Sequence, residues 1–161
     1  MSDIVGAAWR FGDDIDTDVI VPSQYMRYEA DRYAQHVMEP IAPNFAEKVA
    51  QGDVVVAGRN FGIGSSREHA AIGLKRAGVG LVIAESFGRI FYRNAINQGL
   101  PVLVADEATV KDIEQGDELA VNVHAGVVRN LTTQAEYLIE TPSGLIHDIL
   151  SAGGAKAYYS D

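Results

Sequence analysis

The residues best equipped for chemistry in this chain fall in one stretch, GRNFGIGSSREHA at positions 58–70. Gly62 and Gly64 permit positive φ and close backbone approach, Ser65 and Ser66 bring hydroxyls, and Arg67 brings a permanent, fork-shaped cation. The stretch joins a strand ending near Ala57 to a helix expected to begin near Ser66. A turn so placed aims free N–H groups and a positive helix end at whatever binds there, so it predicts an anion site. The same residues also fit an ordinary capping box, with Ser65 as N-cap and Glu68 three positions on, and spacing alone does not choose between the two. Known anion and nucleophile motifs do not decide it either. GIGSSR lacks the third glycine of a dinucleotide fingerprint, and the chain has neither a Gly-Lys-Ser/Thr phosphate loop nor a G-x-S-x-G elbow.

The remaining constellations are less specific. Asp14-Ile15-Asp16-Thr17-Asp18 alternates carboxylates like a calcium loop, but Val19 and Tyr25 stand where that loop needs Gly and Glu. It reads instead as a solvated acidic turn. His36, His69, His124 and His147 form no H-x-x-x-H pair and are expected to be packed or surface imidazoles, so no metal site is predicted.

Short β-branched runs at 4–11, 53–57, 81–87 and from 101 predict strands. Between them, 66–77 places Ala70, Leu74 and Ala77 on one helical face and stops at Gly78, and 88–98 does likewise before Gly99-Leu100-Pro101. A strand-helix-strand-helix-strand run predicts a parallel sheet with right-handed crossovers. After residue 115 the pattern alternates through a turn at His124-Ala125-Gly126, which suits an antiparallel hairpin, and PSGLIHDILSAGG reads as a closing helix. The expected fold class is a three-layer α/β domain over residues 1–161, with a mixed sheet that has a parallel core and added antiparallel strands.

Composition narrows the function classes. With 13 basic against 22 acidic side chains in 161 residues, the formal charge is -9, which argues against a phosphate-backbone binder. No nucleic-acid partner is expected. Zero cysteines exclude a disulfide framework, a Cys nucleophile, a zinc ribbon and a self-held iron–sulfur cluster. The N-terminal stretch lacks the basic and apolar regions of a signal peptide, and the longest apolar run, VGLVIA at 79–84, is too short to span a bilayer. A cytoplasmic protein without membrane association is the expectation.

Together with GDDIDTDVIVPSQYM (12–26) and ESFGRIFYRNAINQGLPV (85–102), the serine turn resembles the small subunit of 3-isopropylmalate dehydratase and homoaconitase, itself similar to the mobile C-terminal domain of aconitase. The resemblance covers residues 8–104 with three motifs in one order. It implies a swivelling β/β/α fold and a hydro-lyase that isomerises a 2-hydroxy diacid by dehydration and rehydration, with a role in leucine biosynthesis. It also implies a heterodimer or heterotetramer with a large subunit carrying a [4Fe-4S] cluster, whose open iron acts as Lewis acid on the departing hydroxyl; this chain would bind no cofactor itself. By the same resemblance Ser65 is the base and Arg67 holds a substrate carboxylate. Ser66 and the backbone near Gly64 make supporting contacts, and Thr17 and Asp18 sit at the cleft edge holding the arginines. Arg89, Arg93 and Asn94 of the third motif are expected in packing or at the subunit interface. Tyr25-Met26-Arg27-Tyr28 lies where the family has its substrate-discriminating loop. Members resembling isopropylmalate enzymes tend to be apolar at the third place, and those resembling homoaconitase have Arg followed by Thr. Arg27-Tyr28 matches neither in full, so Arg27 is expected either to read a substrate carboxylate or to face solvent. A reading of another class, a non-catalytic anion-binding regulatory module, uses the same turn.

Overall fold

The structure, a computed structural model, describes residues 3–160; residues 1, 2 and 161, at the ends of the span expected for the domain, lie outside the described residues. Seven strands form one sheet in the order β4-β3-β2-β1-β5-β6-β7. β1 (Ile4–Arg10), β2 (Val54–Ala57), β3 (Leu81–Ala84) and β4 (Val102–Val104) run parallel, and Val55 lies opposite both Trp9 and Val82. β5 (Glu118–Asn122), β6 (Val127–Asn130) and β7 (Glu136–Leu138) continue antiparallel from β1.

The chain steps from β1 to β4 always in one direction across the sheet, so right-handed crossovers put every connecting helix on one face. Those are α1 (Thr17–Ile20), α2 (Ala30–Tyr33) and α3 (Phe45–Lys48), then α4 (His69–Ala77) and α5 (Arg89–Asn97). Alternate strand residues serve the two faces. Val55, Ala57, Val82 and Ala84 pack with Phe61, Leu74 and Phe91 of the helical layer; Val54, Val56, Leu81 and Ile83 pack with Leu119, Val121 and Val128 of the antiparallel strands. The antiparallel half therefore curls over the face that has no crossover helices, producing the expected β/β/α layering. Burial on both faces explains why β2 and β3 read as unbroken apolar runs. Asp53, 5% exposed, accepts hydrogen bonds from the Ala7 and Ala50 N–H groups and from Trp9 Nε1, at 2.9 to 3.0 Å, which satisfies its carboxylate and ties β1 to the entry of β2.

Several expected boundaries move. The strand expected over 81–87 ends at Ala84, and α4 begins at His69 rather than near Ser66. The expected hairpin after 115 is a three-stranded meander, with a second turn between Asn130 and Glu136. α6 (Glu107–Asp112), capped by Asp106, and α8 (Ala155–Tyr159) were not foreseen, whereas the closing helix is α7 (Gly144–Ala152) and stops at Gly153 with φ 95°.

Candidate functional site

The loop from β2 to α4 is held from both sides. On one side the acidic turn supplies Asp13, which accepts the Arg59 N–H at 2.7 Å, and Asp14, which accepts Asn60 Nδ2 at 2.9 Å. Gly62 N–H donates to Ile15 O at 2.7 Å, and Thr17 N–H donates to Ile63 O at 2.8 Å. On the other side Phe61 N–H donates to Ser86 O, and Gly88 N–H returns to Phe61 O. The three motifs recognised in the sequence thus converge on one loop. Gly62 carries φ 82°, and a Cβ there would sit 2.3 Å from the Phe91 ring, so no other residue lets the loop pass this close to α5. Gly64, at φ 107°, turns the chain past Thr17.

Beyond Gly64 the hydroxyl and the cation come together around α1. Thr17, 2% exposed, donates through Oγ1 to Ser65 O at 3.2 Å and lies 3.4 Å from Ser65 Oγ. Asp18 Oδ1 accepts Arg67 Nη1 at 3.1 Å and the Ser23 N–H at 3.1 Å. The Arg67 hydrogen bond, and after it the Ser23 N–H, hold the Asp18 carboxyl below its ordinary value. Because Asp18 is 63% exposed, the pair adds only about 0–1 kcal/mol to stability, and its consequence is the direction of the guanidinium.

Ser65 and Ser66 are exposed and Arg67 is half-buried. The N–H groups of Gly64, Ser65 and Ser66 make no backbone hydrogen bond to the described residues. The capping-box expectation fails: the N-cap of α4 is Glu68, in helical conformation, and no side chain caps it. The loop's bonds to the acidic turn and to the 86–88 turn outweigh the local box, so the free N–H groups belong to an extended loop rather than to a helix end. What this constellation offers is an exposed hydroxyl on a rigid turn, unpaired N–H donors beside it, and an oriented cation two residues on.

Not every expected residue joins it. Arg27 is exposed and donates to Tyr28 Oη at 2.8 Å, and the Arg32 guanidinium lies 3.9 Å from the centre of the Tyr28 ring. Among the described residues Arg27 makes no hydrogen bond or ion pair with Ser65 or Arg67. Arg89 and Arg93 are exposed and form no ion pair among the described residues; they rim an apolar pocket of about 280 Å³ between α5 and α7. No group of three or more His, Cys, Asp or Glu among the described residues could hold a metal ion. His124 and His147 lie 3.1 Å apart between the β5–β6 turn and α7. Sequence reading missed a further cluster, in which Glu39 accepts from Tyr25 Oη and His36; the His-x-x-Glu spacing at 36–39 was its only visible sign.

Comparisons with known proteins bear on the family and the fold. A family model described as the aconitase C-terminal domain matches residues 16–108. The methanogen homoaconitase small subunit of Methanothermobacter thermautotrophicus is 50% identical, over 97% of this chain and 90% of that one. The 3-isopropylmalate dehydratase small subunit of Aquifex aeolicus is 52% identical, over 95% of this chain and 92% of its own. The crystal structure of 3-isopropylmalate dehydratase from Methanocaldococcus jannaschii superposes with a TM-score of 0.92 at 45% identity, covering 97% of this chain and 92% of that one. With a model matched over more than half its length and relatives half identical from end to end, the chain belongs to the aconitase C-terminal domain family.

Proposed function

We propose that the chain is the small subunit of a hydro-lyase of the 3-isopropylmalate dehydratase type, acting in the cytoplasm in leucine biosynthesis. The observation that carries this reading is the Thr17–Ser65 and Asp18–Arg67 pairing, which sets a hydroxyl and a cation side by side on one rigid loop. Relatives named as 3-isopropylmalate dehydratase small subunits, from Aquifex aeolicus to Pyrobaculum calidifontis at 55% identity, support it.

Moving the hydroxyl of a malate-type diacid requires removal of a weakly acidic C–H proton beside a carboxylate, loss of water, and readdition at the neighbouring carbon. Arg67 binds a substrate carboxylate in a two-pronged contact, with Asp18 fixing the guanidinium plane. Ser65 Oγ takes the proton. An ordinary serine is too weak a base, so its alkoxide needs the free N–H groups of residues 64–66 and the Arg67 cation, all in place before reaction, while the Thr17 hydroxyl, donating to Ser65 O, holds the serine beside them. On dehydration the same Oγ holds the proton for readdition.

This chain's donor set does not fit an iron–sulfur cluster, having no cysteine, and in this reading the [4Fe-4S] group belongs to a large subunit in a heterodimer or heterotetramer. The test is reconstitution. The chain alone should be inactive toward every hydroxy diacid, and co-expression with a large subunit should give anaerobic dehydratase activity. Turnover by the lone chain after iron and sulfide treatment would overturn the reading.

A second reading within the class is the homoaconitase small subunit, or that of another alkylmalate dehydratase. The exposed Arg27 favours it, because a cation free of any ion pair among the described residues suits a third carboxylate. Arg27→Val should shift the kcat/KM ratio toward isopropylmalate by about tenfold, roughly 1.4 kcal/mol. An unchanged ratio, measured with one large subunit and both substrates, means that Arg27 does not read the substrate. The regulatory-module reading has no observation in its favour once the named relatives are subunits of enzymes.

A further inference from the structure

The Tyr25–His36–Glu39 cluster has no part in the chemistry above, yet it is joined to it. Tyr25 ends a single 3₁₀ turn, Ser23–Tyr25. At the start of that turn the Ser23 N–H donates to Asp18 Oδ1, the oxygen that also accepts Arg67 Nη1. At its end Tyr25 Oη donates to Glu39 Oε1 at 2.7 Å, while Glu39 Oε2 lies 2.6 Å from His36 Nδ1. Glu39 is held ionised, chiefly by His36 and then by Tyr25. An ionised carboxylate only accepts, so both neighbours donate to it. The Tyr25 and His36 rings stack at 3.8 Å, 4° from parallel.

The base of this arrangement is anchored. Met38 is fully buried, adopts φ 61°, and donates its N–H to Ile20 O at 3.0 Å, which seats the 36–39 turn on the end of α1. Glu39 therefore reaches out from a turn fastened to the core. The turn at 23–25 is pinned at one end by the residue that orients Arg67 and at the other by Glu39. Met26, Arg27 and Tyr28 follow directly, with the Tyr28 N–H donating to Tyr25 O.

We propose that Glu39, with His36 and Tyr25, forms a positioning clamp that sets the 23–28 segment at a fixed distance from the carboxylate-binding Arg67 and so fixes which malate substituent fits between them. The proposal rests on the hydro-lyase reading. Glu39 touches no reacting atom. Its loss frees the segment at one end while Asp18 still orients Arg67, so selection among substituents weakens and proton transfer does not.

Glu39→Ala and Tyr25→Phe, each paired with the same large subunit, test this. Both should raise KM for 2-isopropylmalate, by about tenfold for Glu39→Ala and less for Tyr25→Phe, which keeps the ring stacking, with kcat within about threefold of the parent. The kcat/KM preference for isopropylmalate over unbranched malates should narrow in parallel, and Glu39→Gln, which keeps an acceptor, should restore part of it. The double variant Tyr25→Phe/Glu39→Ala should be no worse than Glu39→Ala alone, as members of one unit are not additive. On the free small subunit, trypsin should cut after the exposed Arg27 several-fold faster in Glu39→Ala than in the parent. Unchanged cleavage, unchanged selectivity, or a fall in kcat at constant KM would each overturn the clamp. A parent complex that turns over no malate would overturn the hydro-lyase reading instead, and the cleavage rates would still judge the clamp.

Discussion

Ser65→Ala should lower kcat by on the order of 10³-fold or more, with KM and melting behaviour close to those of the parent. The sequence alone left room for a second effect, because an N-cap serine replaced by alanine costs about 0.5–2 kcal/mol of stability. The fold removes that effect. α4 starts at His69, and the Ser65 side chain faces Thr17 Oγ1 rather than a helix N–H. A loss of rate in Ser65→Ala therefore reports chemistry uncontaminated by unfolding. Thr17→Val should show the supporting role, with a smaller loss in kcat, since it removes one neighbour of the oxygen and leaves the backbone donors. A Ser65→Ala complex whose kcat stays within about tenfold of the parent would remove the base from the mechanism.

The parallel core was readable because its two central strands are buried on both faces and its long helices run into glycines. Val54–Ala57 and Leu81–Ala84 admit no other reading, and Gly78, at φ 115°, stops α4 where the sequence places the stop. What could not be read is whatever long-range contacts decide. Ser65-x-x-Glu68 is a sound local signal for a helix start, but the loop it lies in is claimed by Ile15, Thr17 and Ser86, between 25 and 48 residues away in sequence, as the pairs Phe61 with Ser86 and Ser65 with Thr17 illustrate. β7 is three residues long and only Tyr137 of it packs against the core, so its alternation is too short to announce a strand and it exists because β6 offers an edge. Asp106, by contrast, carried a legible cap for α6, with its side chain accepting the Thr109 N–H, and the short helix behind it was the part that escaped.

For the site, residue types were legible and connections were not. Ser65, Arg67, Thr17 and Asp18 stand out by motif, and the fold brings these four together. Arg27 stands out equally, yet its side chain is exposed and its hydrogen bond goes to Tyr28. Glu39 has no motif of its own. Its importance comes from a buried Met38 that turns the chain back toward Tyr25, which no local pattern announces.

The second large effect belongs to Arg67. Arg67→Ala should lower kcat/KM by on the order of 10³-fold, about 4 kcal/mol, because truncating one member of a hydrogen-bonded charge pair at a shielded site costs roughly 2–5 kcal/mol. Arg67→Lys should recover little, since a point charge cannot reach Asp18 and grip a carboxylate with two parallel N–H groups at once. Asp18→Asn should be much milder, about tenfold or less, as an amide oxygen still accepts from Ser23 and Arg67 and only the charge is lost. The pH dependence separates the two roles. The Asp18 carboxyl lies below its ordinary value of 3.8 in the fold, so its contribution is complete above that value and disappears only as pH falls through the lower folded one. The ratio of parent to Asp18→Asn activity should consequently stay flat from about pH 5 to 9. A ratio that titrates within that range would mean that another group holds the Arg67 guanidinium, and an Arg67→Ala complex within tenfold of the parent would mean that the substrate carboxylate binds elsewhere.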